Sequence, residues 1–407
     1  MAAGPSRSAI GLVPALTLGV LTLAGLGLAG LILARAPAQH AAARSLSDSA
    51  AVHEVLAGRN RLARGEPPSE IAASARRILD RAPLEAGAVS LLGLSLPEAR
   101  RLPLMEAAAR LSHRDEAADR WLFEAGMARG DYAAALRRAD ALMRRQTAEQ
   151  RVAVVRRIFP YLGEPAAFAA VIDRLALSPA WRGAFLAQFT ALSPDAGEPY
   201  RILKALRATA APPTRVELSA YLRRLIAERR FQQAHRDWIA LAPAAERAGT
   251  ALLADGGFEG LPATPPFGWN LDSHTAGYGE MLPSERDGGK ALRVSHDGRT
   301  RQWLVRQLLV LAPGAYRLSG QVRTASDLSA DSMAWTLTCE GVARPLASTP
   351  APATGGGWAG FSVAFTVPAE GCEGQSLVLQ SLPADSGTPV EVWYDALVIE
   401  RTAPHAR

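Results

Sequence analysis

Between Leu252 and Trp269 the chain changes its hydrophobic period, and that switch constrains the fold more than any single residue does. From about Ser49 to Leu241 apolar residues recur three and four apart, the spacing that lines one face of a helix. From Thr250 come short alternating runs cut by Gly, Pro, Ser and Asp, the pattern of half-buried strands. The stretch at the switch, Leu252-Leu-Ala-Asp-Gly-Gly-Phe-Glu259 and then Pro265-Pro-Phe-Gly-Trp269, is rich in turn formers. At 407 residues the chain has room for both parts. The expectation is a multidomain α plus β protein, helices first and an antiparallel β-sandwich second.

Charge divides along the same line. From Ala251 onward there are 16 acidic and 11 basic side chains, net −5, which leaves the first 250 residues with 34 basic and 23 acidic, net +11. Only Lys204 and Lys290 are lysines, so the excess is nearly all arginine. It lacks the clustered, aromatic-interleaved pattern of a nucleic-acid surface, and no nucleic-acid partner is expected.

Ile10 to Ala34 is a run of 25 residues without a charge. That exceeds the ~20 needed to span a bilayer and the ~7 to 15 of a secretory signal core. Residues 10–34 are therefore expected to be an uncleaved transmembrane signal anchor, with 1–9 a cytoplasmic tail and 35–47 a tether. Ala36-Pro-Ala38 keeps a cleaved signal peptide as the alternative. Arg7 on one side and Arg35 and Arg44 on the other leave the orientation balanced. Gly25-Leu-Gly27-Leu-Ala-Gly30 spells a dinucleotide fingerprint, but no strand precedes it. Orientation rests instead on Cys339 and Cys372, the only cysteines, on or beside neighbouring expected strands. A disulfide between them implies an oxidising compartment; two buried thiols are the alternative. The bridge would put the amino terminus in the cytoplasm and everything after Ala34 in the periplasm of a bacterium, as a single-pass inner-membrane protein.

The helical part repeats. Tyr132, Phe168, Tyr200 and Phe231 fall at the same phase of successive units, 36, 32 and 31 residues apart. Six hairpins fit between Ser49 and Leu241, with second helices starting near Pro68, Glu98, Asp131, Pro165, Gly197 and Arg230. In the best unit, Ala117 to Arg145, Trp121, Leu122, Gly126, Gly130, Tyr132 and Ala135 approximate one pattern, and residues 48–245 resemble tetratricopeptide repeats. The unit departs from that family near Thr147, where a proline is usual. The resemblance implies an α-solenoid whose concave surface holds a protein partner, here an envelope protein, without catalysis. Trp121, Trp181 and Trp238 are expected in the core.

In the second part strands are expected at Ala251 to Ala254, Ala291 to Ser295, Gln302 to Val310, Gly314 to Thr324, Met333 to Glu340, Trp358 to Val367, Ser376 to Ser381 and Val390 to Arg401. Ala254-Asp-Gly-Gly-Phe-Glu259, then Trp269, Gly314-Ala-Tyr-Arg-Leu-Ser-Gly320 and the closing Val392-Trp-Tyr-Asp395-Ala-Leu-Val-Ile399 resemble the galactose-binding-like jelly roll of carbohydrate-binding modules. The likeness covers Leu252 to Arg401 of an expected domain at 250–402, with 403–407 a tail. The whole arrangement also resembles envelope proteins of alphaproteobacteria, some found with surface-polysaccharide functions. The jelly-roll resemblance implies that Glu259 and Asp395, with Asp255 as a third ligand, could share a structural Ca²⁺; turn capping or an arginine partner is the alternative use of these carboxylates. No other cofactor is expected.

A sugar site needs aromatic faces for C–H stacking and polar side chains for hydroxyls. Trp269, Tyr278, Trp303, Trp335, Trp358, Trp393 and Tyr394 are available. Trp335 and Trp393 lie inside strands and are expected in the core. The glycan candidates are Trp269 and Tyr278, in a long loop with Asp272 and His274, and Trp358 after Gly355-Gly-Gly357. No metalloprotease, nucleophile-elbow, nucleotide-loop or CxxC motif is present, and the seven histidines are scattered. His274 and His296 with Asp272 and Asp297 are the nearest approach to a hydrolytic group. The expectation is a membrane-anchored periplasmic adaptor, not an enzyme, whose repeats bind a protein and whose sandwich binds a glycan during surface-polysaccharide assembly or export. A structural scaffold without sugar binding and a polysaccharide-modifying hydrolase are the alternatives.

Overall fold

The computed structural model describes residues 50–243, 252–260, 264–274, 276–324, 331–383 and 389–402, the side chains of 273–274 excepted. The expected anchor, tether and both tails lie outside them. Among the described residues no helix is long and apolar enough to cross a membrane. The described residues fall into two compact units that divide between Arg145 and Gln146.

The first unit holds α1 (residues 50–63), α2 (Pro68–Arg81), α3 (Ala86–Leu94), α4 (Arg101–Leu111), α5 (Glu116–Ala128) and α6 (Tyr132–Arg145). Local chemistry sets the starts. Proline occupies the first position of α2, where no N–H is needed, and Asp115 caps α5 by accepting from Ala118 N at 2.9 Å. The second-helix start expected near Glu98 comes three residues later, because Glu98–Arg100 forms a 3₁₀ turn first. Gly126 lets α5 approach α6 closely: a Cβ there would lie 3.0 Å from that of Ala135.

The second unit opens with α7 (Ala148–Ile158), α8 (Pro165–Ala176), α9 (Arg182–Leu192), α10 (Gly197–Arg207), α11 (Arg215–Ala227) and α12 (Phe231–Leu241). Helices α7, α9 and α11 stack on one another, as do α8, α10 and α12, giving two layers. Trp181 and Trp238 are buried as core, and Trp121, in the first unit, is packed against its own cluster. A buried ion pair joins α9 to α11, with Arg182 Nε 2.9 Å from Glu217 Oε1.

The sandwich comprises β1 (Asn270–Leu271), β2 (Ser273–His274), β3 (Gly277–Pro283), β4 (Lys290–His296), β5 (Trp303–Leu309), β6 (Gly314–Thr324), β7 (Met333–Cys339), β8 (Pro345–Pro350), β9 (Ala359–Val367), β10 (Gln375–Ser381) and β11 (Val390–Arg401). Two antiparallel sheets, ordered β1-β5-β10-β7-β8 and β2-β3-β4-β11-β6-β9, enclose a core that includes Phe258, Leu292, Val322, Trp335, Leu377 and Tyr394. Seven of the eight expected strands form. At the eighth, Ala254 is paired by a side chain instead: Gln307 Oε1 accepts from Ala254 N and Gln307 Nε2 donates to Ala254 O, both at 2.9 Å. The chain then turns through Asp255 and Phe258, both at positive φ. Gly256 O accepts from Leu397 N at 2.8 Å, where β11 slips register between Asp395 and Val398.

The sandwich also meets the last hairpin of its own unit. Trp238 stacks on Phe267 with ring centroids 5.1 Å apart, His235 meets the same ring edge-on, and Arg229 Nη2 donates to Glu340 O at 3.2 Å. Cys339 and Cys372 are disulfide-bonded beside this junction, with Cα atoms 5.0 Å apart.

Candidate functional site

The residues expected to bind sugar do not form one site. Trp269 is half-buried, packed against Phe258 and Trp335 at the edge of the core, and its Nε1 donates to Asp255 O at 2.8 Å. Its indole N–H is thereby satisfied within the fold, while part of the ring remains exposed. Asp272 is half-buried and its backbone N donates to Leu304 O at 2.9 Å; His274 lies in β2. Tyr278 and Trp358 do share a surface, the outer face of the six-stranded sheet, but at its two sides. Tyr278 is exposed on β3 and accepts from Arg293 Nη2, while Trp358 precedes β9 beside Arg323. Trp393, expected in the core, points out between them: Val392 and Tyr394 are buried on either side of it.

The three expected calcium ligands have other partners. Asp395 is buried, with Oδ2 2.7 Å from Arg286 Nη1 and Oδ1 accepting from Ala396 N. Glu259 accepts from Lys290 N, and Asp255 from Glu259 N and Gly260 N. Among the described residues no three carboxylate, histidine or cysteine side chains are grouped to hold a metal ion. The donor set does not fit calcium: a guanidinium already supplies the cation at Asp395. His296 is no freer. It is buried, its Nδ1 accepts from Gly298 N at 2.9 Å and its Nε2 lies 3.2 Å from Ser332 O, while Asp297 caps the following turn through Arg299 N. Burial lowers the pKa of His296 below the ordinary imidazole value.

The outer face of the five-stranded sheet carries the more complete arrangement. Register places Arg306, Val378 and Thr336 in one row across β5, β10 and β7, with Leu308, Ser376 and Thr338 in the next. Over these rows lies an open depression of about 450 Å³, lined by Trp303, Arg306, Glu340, Val342, Ser376 and Val378 among others. Trp303 is 37% exposed. Arg306 Nε donates to Ser376 Oγ at 3.0 Å and its Nη2 to Glu340 Oε1 at 2.6 Å, and the Ser376 hydroxyl donates to the same carboxylate oxygen. Farther along, Gln380 Nε2 donates to Thr336 Oγ1 at 3.0 Å, which meets Ser348 Oγ at 3.1 Å. An indole face, a charged donor, a carboxylate and an amide thus share one sheet face. Apolar stacking with convergent hydrogen bonding is what a sugar ring requires.

The groove is held firmly. Its acid, Glu340, follows the bridged Cys339, its backbone N donates to Gly374 O, and its carbonyl accepts from Arg229. Leu308, in the same row as Ser376, borders a neighbouring cavity of about 360 Å³ with His235 and Trp238. The last hairpin therefore abuts the same sheet face at one end of the groove. Sequence reading counted Trp303 among the available aromatics without preferring it, and did not single out Arg306, Glu340, Ser376 or Gln380. The one available signal was Arg306-Gln307 in the middle of an otherwise apolar strand.

No family model matches the sequence, and no curated protein matches it. Solved structures resemble the sandwich. One is a family 61 carbohydrate-binding module in complex with β-1,4-galactotriose, at 15% identity and a TM-score of 0.27, covering 37% of this chain and 98% of that one. Another is a xylan-binding domain from Paenibacillus barcinonensis, at 12% identity and a TM-score of 0.26, covering 33% and 85%. A third is a cyclase from Fischerella, at 14% identity and a TM-score of 0.29, covering 37% and 97%. So distant a likeness assigns no ligand.

Proposed function

We propose that the β-sandwich binds a glycan in the groove of the five-stranded sheet, without catalysis, and that the helices hold a protein partner beside it. The observation that supports this reading is the exposed Trp303 on the same face as the Arg306–Glu340–Ser376 network. In this reading residues 10–34 anchor the chain in a bacterial inner membrane and the disulfide-bonded sandwich works in the periplasm, close to surface-polysaccharide assembly or export. The contact of Arg229 with Glu340 places the α11–α12 turn next to the groove, which suits an adaptor.

Binding of the full chain, in detergent, to immobilised glycans tests the proposal. Trp303→Ala should weaken capture about tenfold or more; because nearly two-thirds of the residue is covered, the melting temperature should fall by several degrees with a single cooperative transition retained. Bound glycan should be recovered intact. Undiminished capture by Trp303→Ala would remove the groove from consideration, and shortened product would make the protein a hydrolase. Absence of binding across the array would favour a structural scaffold.

A further inference from the structure

The outer face of the other sheet carries a second aromatic and cationic row that the groove does not use. Glu280 on β3 pairs with Arg293 on β4, Arg293 with Trp393 on β11, and Trp393 with Arg323 on β6. Trp358, at the entrance to β9, closes the row. At ~4.8 Å per strand the row is about 19 Å long.

Its two arginines differ. Arg293 is neutralised: Nε donates to Glu280 Oε1 at 3.0 Å, and Nη1 lies 3.6 Å from Glu391 Oε2. Glu391 is further occupied by Trp393 Nε1 at 2.8 Å. Arg323 has no carboxylate partner among the described residues. Its guanidinium carbon lies 5.0 Å from the Trp393 ring centroid and 5.7 Å from that of Trp358, within the range of cation–π attraction to both. Cation–π attraction uses none of the guanidinium hydrogen-bond donors, and these form a planar fork matched to a carboxylate. A guanidinium with no carboxylate partner among the described residues, beside two half-buried tryptophans, combines an anion site with surfaces for the C–H faces of a pyranose.

We propose that Arg323, Trp358 and Trp393 form a second subsite that takes a carboxylate-bearing sugar, a uronic acid within a polysaccharide. Arg323 receives the carboxylate edge-on and the indoles flank the ring. An acidic peptide would satisfy Arg323 but gives the aromatic faces nothing to stack on, so the sugar is the favoured occupant. The subsite shares no residue with the groove, and the two can fail separately.

Isothermal titration of the full chain in detergent, with oligogalacturonate and with a neutral galacto-oligosaccharide of equal length, tests this. The uronide should bind more tightly, with an affinity that falls as salt is raised. Arg323→Met should weaken the uronide about tenfold and leave the neutral sugar unchanged. Arg323→Lys, which keeps the charge but not the fork, should recover only part of the loss and guards against misfolding of the methionine variant. Trp303→Ala should weaken the neutral sugar and leave the Arg323-dependent preference for the uronide in place, because the two sites share no residue. Equal affinity for the two sugars, or a uronide affinity indifferent to Arg323→Met, would overturn the subsite. Poly-glutamate binding as tightly as the uronide, with the same Arg323 dependence, would overturn the sugar as its occupant.

Discussion

Asp395 shows how a buried charge is compensated in this fold. It is only 2% exposed, and Arg286 reaches it from the turn between β3 and β4. Removing the arginine would strand a buried carboxylate, so Arg286→Met should cost about 2 to 4 kcal/mol in urea denaturation. Calcium or chelator should shift neither protein's melting temperature; a rise with calcium in the wild type would show that a metal binds despite the arginine. Histidine burial acts at the same scale. Burial lowers the pKa of both His235 and His296 below the ordinary value of 6.5. Below that value the unfolded chain binds protons that the folded one refuses, so this contribution to stability is full above about pH 6.5 and is lost as pH falls. Melting temperature should therefore decline on the acid side, and His235→Phe should flatten part of the decline. An unchanged acid limb in that variant would assign the loss to other groups.

At the scale of elements, the segment from Leu253 to Phe258 is seated against the irregularity in β11, and Gly256 permits it. A Cβ at that position would fall 1.9 Å from Leu397 O, a backbone atom that cannot swing away. Gly256→Ala should therefore destabilise the sandwich by about 3 kcal/mol or more, measured by chemical denaturation, whereas Gly355→Ala at an open turn should cost about 1 kcal/mol. Elements with a strong period were readable from sequence: helices begin at Pro68, Pro165 and Gly197, where turn residues precede an amphipathic run. Strand β3 was not, because Gly277, Gly279 and Pro283 make it look like a loop, and β8 is an edge strand bounded by Pro345 and Pro350. The placement of two tryptophans was hidden for a related reason. Val392-Trp-Tyr394 is apolar throughout, so alternation gives it no phase; only register with β4 and β6 turns Trp393 outward. Likewise Trp269 occurs in a loop by sequence, yet Asp255 O offers its indole a partner inside. The groove draws residues from three strands and a turn, which no spacing in the sequence brings together.

Across the whole molecule, the disulfide closes a path through both layers of the sandwich. Residues 339 and 372 flank β8, which belongs to the five-stranded sheet, and β9, which belongs to the six-stranded one. Within that span Gly355, Gly356 and Gly357 form an exposed turn that leads into Trp358. A protease cutting there would therefore open a covalent ring rather than sever the chain. Nicked protein should run as one band on a denaturing gel without reductant and as two bands with it; two bands without reductant would mean that the bridge had not formed. In an oxidising setting the protein could thus be clipped beside Arg323 and still travel as a single molecule.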